Sequence, residues 1–157
     1  MVSATIQGLA SGIIVALAIM VGLSSGTEAI LVVLSGIVVV AFVEGFSDAF
    51  SEYLSRRTDS THKTRQVWKE ASIVFATKTA IIMQFIIPFM FLTLIEATQF
   101  AVFWGLFVLS ILSGYIAKQQ VNRRVVRTMV IYVVAAIIII TITYFIGDLV
   151  AYIFSLL

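Results

Sequence analysis

Five apolar runs, at positions 6–23, 29–54, 70–94, 99–117 and 128–150, take up most of this 157-residue chain. A helix needs about 20 such residues to cross roughly 30 Å of hydrocarbon. Inside lipid every backbone N–H and C=O must find its partner within the protein, so runs of this length fold as helices. The expectation is an all-α, polytopic membrane protein with five transmembrane helices, forming a single transmembrane domain over 1–157. Composition agrees: 61% of residues are hydrophobic and 11% are charged, where a soluble domain is about one quarter charged. Met1 to Ala10 has no basic segment, so the first run reads as a span rather than a cleavable signal. The chain has no cysteine, which removes disulfides, thiolate metal sites and cysteine catalysis.

The charges are few, and their placement carries the topology. Positions 55–69 hold five of the ten Lys and Arg residues. Lys118, Arg123, Arg124 and Arg127 cluster after the fourth run, whereas the turns at 24–28 and 93–98 have no cation. The positive-inside rule then puts the N-terminus in the cytoplasm and the C-terminus outside. Trp68 is placed to anchor the third helix at the interface, and His62 reads as a solvated loop residue. Pro88 predicts a kink in the third span. Asp148 falls about 30 Å from Thr128 along the last helix, near the far interface, and reads as structural.

The second run ends in an unusual stripe. Glu44, Asp48 and Glu52 stand at i, i+4 and i+8, within about 80° of one another on a helix. Ser47, Ser51 and Ser55 share their side, so six polar residues occupy an arc of roughly 140°. Gly45, Phe46, Ala49, Phe50, Tyr53 and Leu54 fill the rest. The outer end, at Glu52 and Ser55, is what any helix leaving the membrane would show. Glu44 lies about 16 Å further in. Carboxylates at such depth are costly, and where they occur they mark ion or proton paths. Carboxylates and hydroxyls are hard ligands that suit Mg²⁺, Ca²⁺ and Mn²⁺ and tolerate Fe²⁺, and Met20 or Met83 could add a softer sulfur. Lys78, at comparable depth on the third run, would either neutralise an empty carboxylate site or hold the bundle by a buried pair. Gly8, Gly12 and Ala16 let the first helix approach another closely, within the chain or across a dimer. An enzyme is not expected: the one His lies in a loop, and Asp48 and Asp148 fall near opposite faces. No nucleic-acid-binding motif is present.

Ser47-Asp48-Ala49-Phe50-Ser51-Glu52-Tyr53 resembles the second-helix signature of the vacuolar iron transporter family, Ser-Met-Ala-x-Gly-Glu-Tyr. Gly8-Leu9-Ala10-Ser11-Gly12 is similar to that family's Gly-Leu-x-Asp-Gly. Ile87-Pro88 and Thr143-Tyr144-Phe145-Ile146-Gly147 resemble its later landmarks. The resemblance implies a homodimeric exchanger that moves Fe²⁺, and often Mn²⁺, out of the cytosol against protons, along a path between subunits. In that family the path uses a first-helix Asp and a second-helix Met. Here Ser11 stands at the first position and Asp48 at the second, and only the basic stretch 55–69 replaces the family's metal-collecting domain.

The resulting expectation is a proton-coupled Fe²⁺ or Mn²⁺ transporter, a homodimer spanning the cell membrane several times, with no resident cofactor. Glu44 and Asp48 would be the ligands, Glu52 the entrance, and Ser47 and Ser51 secondary oxygens. Ser11, Lys78 and Met83 would line or support the path, and Gly8, Gly12 and Ala16 would meet the second copy. The alternative is a non-transporting scaffold or accessory subunit whose carboxylates pair with Lys78 and basic loop residues.

Overall fold

The computed structural model describes residues 2–58, 64–119 and 125–156, with side chains over 8–58, 64–118 and 125–156. His62, Lys63, Arg123 and Arg124, in the basic connections, lie outside the described residues. Six helices follow in order: α1 (Val2–Gly26), α2 (Ile30–Thr58), α3 (Thr64–Met83), the short α4 (Ile86–Phe89), α5 (Leu94–Gln119) and α6 (Val125–Ser155). Taking α3 and α4 together, they supply five stretches long and apolar enough to span a bilayer. The protein is an all-helical, multi-pass membrane protein among its described residues.

The third span breaks one turn ahead of Pro88. Proline has no N–H, and its ring crowds the carbonyl four residues back, here that of Gln84. The α-helical ladder stops at Met83, and Phe85 N–H and Ile87 N–H turn to the carbonyls of Ile82 (3.1 Å) and Gln84 (3.2 Å) instead. Beyond the break, Thr93 starts α5 earlier than the apolar pattern predicts. Glu96 Oε2 accepts from both Thr93 N–H (3.2 Å) and Thr93 Oγ1 (2.9 Å). This is one half of a capping box, in which Glu96 reaches back to Thr93 N–H and satisfies a donor that the first turn leaves free. Residues 94–98, expected as a turn, are therefore helix. At its other end α2 runs on to Thr58, with Arg56 and Arg57 in its last turn, where cations suit the helix dipole.

The central helix is α1, which packs against α2, α3, α5 and α6. Ile13, Leu17 and Met20 of α1 are fully buried, joined by Val33, Ile37 and Ala41 of α2, Ile82 and Phe85 near the break, and Leu109 of α5. Small residues set the closest approach, as expected where lipid supplies no hydrophobic drive. The backbones of α1 and α6 touch at Gly22 and Gly147, and Ser25 Oγ bridges them by donating to Tyr144 O at 2.9 Å. Helices α2 and α3 form a long antiparallel pair. Gly45 lets Phe75 and Thr79 close in, Thr79 Oγ1 donates to Ala41 O at 3.2 Å, and Tyr53 stacks on Trp68 at 5.0 Å. Phe42, Phe46, Phe50 and most of α6 are exposed apolar surface, as lipid-facing helices require.

Candidate functional site

The α2–α3 seam holds two charged clusters, one above the other. In the inner one Lys78 Nζ lies 2.5 Å from Asp48 Oδ2 and 2.7 Å from Glu44 Oε2. The lysine side chain is 2% exposed, whereas Glu44 and Asp48 are 26% and 33% exposed. Helical spacing explains the clasp: residues four apart on α2 present two carboxylates on one face, and a single ammonium on α3 reaches both. Lys78 sits near the middle of the Thr64–Phe89 stretch, so the cluster lies deep in the span.

The outer cluster is built on Arg56. Its Nε donates to Glu52 Oε1 at 2.7 Å within α2, and its Nη1 lies 2.9 Å from Glu70 Oε2 on α3, as an ion pair rather than an aligned hydrogen bond. Along this seam four carboxylates therefore share two cations. Glu70 was not expected in the site, because a charge at the start of a span reads as an ordinary interfacial residue. The signal was nonetheless present: Glu70 and Lys78 stand eight apart, on one face of the same helix.

A cleft of about 330 Å³ opens beside the inner cluster, lined by Gly8, Leu9, Asp48, Ser51, Glu52, Ser55, Val74 and Lys78. Four of the expected path residues do not line it, and of these Glu44 is joined to it only through its ion pair with Lys78. Ser47 is exposed on the outer surface. Ser11 is exposed and donates to Gly8 O of its own helix at 2.8 Å. Met83 packs against the apolar core, as does buried Met20. Asp148 is exposed at the other end of the molecule, beside Phe145 and Tyr152.

The small-residue stripe of α1 needs a correction. Gly12 and Ala16 are buried inside this one chain rather than offered to a second copy. A methyl group at Gly8 would lie 2.7 Å from Asp48 Oδ2, and one at Gly12 would lie 2.8 Å from Lys78 Cε. The missing side chains leave α1 room to lie across the inner ion pair.

Among the described residues no three His, Asp or Glu side chains converge into a ready-made metal cage. Glu44 and Asp48 converge on an ammonium. Chemically, the inner cluster is a pair of carboxylates holding the protein's own lysine, with Asp48 and Lys78 at the wall of the adjoining cleft.

Fold and site together define a multi-pass helical membrane protein with an ion-paired carboxylate cluster at membrane depth. No family model matches the chain, and no match is found among curated proteins or solved structures. The likeness of the second-helix motif to the vacuolar iron transporters stands on the quoted residues alone.

Proposed function

We propose that this protein is a carrier that exchanges a divalent cation, Fe²⁺ or Mn²⁺, for protons across the cell membrane. The observation that carries the reading is the ammonium of Lys78, buried between Glu44 and Asp48 at the wall of an open cleft. Two anions alone at this depth would be expensive, and a tethered cation offsets them while the site is empty. A divalent ion entering past Glu52 and Ser51 would take Glu44 and Asp48 and displace the lysine. The basic ends of the spans, at Arg56, Arg57 and Lys118, would face the cytoplasm, so ions would enter from there. Ser11 and Ser47, exposed among apolar surface, favour a homodimer in which a second copy covers them.

A second reading is favoured by the same clasp. An ion pair that is complete without any ligand, backed by the Arg56 cluster, is also what a scaffold would use to lock α2 to α3. Melting curves of detergent-solubilised protein with and without Mn²⁺ separate the two. A carrier gains stability with Mn²⁺, and in Lys78→Met the metal restores what losing the ammonium removes. A scaffold gains nothing from Mn²⁺, and Lys78→Met loses about 3–5 kcal/mol that no metal returns.

A further inference from the structure

Glycines at 8 and 12 of α1 face the two halves of the inner ion pair, one each. We infer that Gly8 and Gly12 are positioning residues that tune the cation affinity of the site in opposite directions, Gly8 by leaving Asp48 its place and Gly12 by letting Lys78 reach it. The inference rests on the carrier reading and adds what sets the balance between lysine and metal.

The geometry supports separate roles. At Gly8 the first atom an added methyl would meet is Asp48 Oδ2, and at Gly12 it is Lys78 Cε. Both are far ends of flexible side chains. The added volume is therefore accommodated by moving the ion pair, not by parting the helices. Gly147 is the counter-example in the same bundle, since a methyl there would run into the backbone carbonyl of Gly22. The room for Lys78 to shift lies in the cleft that it lines together with Asp48. The lysine is 2% exposed, with Glu44 and Asp48 on α2 and Gly12 on α1 around its ammonium end. Crowding at Gly12 pushes the ammonium off its carboxylates and leaves them to an incoming ion. Crowding at Gly8 pushes away a carboxylate that the ion itself needs.

Mn²⁺ affinity, measured on purified full-length protein by titration calorimetry, tests this. Gly12→Ala should bind Mn²⁺ more tightly than wild type and Gly8→Ala more weakly, each by on the order of tenfold, the size of a coupling between touching side chains. Gly105→Ala is the control. Its methyl would meet the side chain of Leu17 at 2.7 Å, a similar crowding in apolar surroundings, and should leave Mn²⁺ affinity unchanged. In a Lys78→Met background Gly12→Ala should have no further effect, because the group it displaces is gone. That double variant also stands as the test if either single variant is poorly folded. Shifts of the same sign at Gly8 and Gly12, or an effect of Gly12→Ala that survives in Lys78→Met, would overturn this inference while leaving the carrier reading intact. Wild-type protein that binds no Mn²⁺ would overturn both together.

Discussion

Lys78 is the residue on which the account turns. Its burial is tolerable because two carboxylates lie within ion-pair distance, and it offsets their charge in turn. Arg56 repeats the arrangement nearer the basic end, with Glu52 and Glu70. The two clusters differ in their cations: Lys78 is 2% exposed and reaches its carboxylates alone, whereas Arg56 is 13% exposed and keeps an aligned hydrogen bond within its own helix. Glu70→Gln keeps the shape of the side chain and leaves Arg56 its aligned bond to Glu52, while the Glu70 contact it weakens is not an aligned hydrogen bond, so we expect a loss of about 1 kcal/mol. In a chain of this size that lowers the melting temperature by roughly 2–4 °C, with Mn²⁺ binding retained. Thermal melts check both parts. The carboxylate stripe was legible in the sequence because helical geometry fixes the angle between residues four apart. Lys78 was legible by depth alone. Glu70 and the exposed positions of Ser11 and Ser47 were not, since rotation of one helix against its neighbours depends on packing that no single stretch encodes.

At the scale of elements, local chemistry sets the boundaries and glycines set the distances. Pro88 was legible as a break, because its effect on the backbone is intrinsic. Hydropathy misplaces the start of α5 because Thr93 and Glu96 read as a polar turn, although their spacing is that of a capping box. The glycines of α1 were legible as sites of close approach but not in what they approach. Gly8 and Gly12 meet side-chain ends, whereas Gly22 and Gly26 meet the backbone of α6 at Thr143 and Gly147. This difference predicts a contrast. Gly147→Ala sets a methyl against a carbonyl that cannot swing aside, and should destabilise the protein by about 1–3 kcal/mol through overpacking. Gly12→Ala should cost less. Denaturation of both variants in one detergent measures the difference, and equal losses would mean that α1 and α6 are freer to part than their contact suggests.

Across the whole molecule, charge is confined to the span ends and to one seam. Fully buried α1 residues form the axis, α2 and α3 carry the ionic clusters to one side of it, and α5 and α6 close the other side with apolar surface. The number of spans and the all-helical class were legible from hydropathy, because lipid allows few alternatives. What the seam is for depends on whether ions pass along it. The most direct measurement is Mn²⁺ entry into proteoliposomes, followed with a metal-sensitive dye inside and a pH indicator for the opposing protons. Wild-type protein is expected to admit Mn²⁺ as protons leave, and Asp48→Asn, which keeps the shape of the side chain and removes its charge, should abolish both signals while the protein stays folded. Empty and protein-bearing vesicles that admit Mn²⁺ equally, or an Asp48→Asn variant that transports as wild type does, would contradict the account.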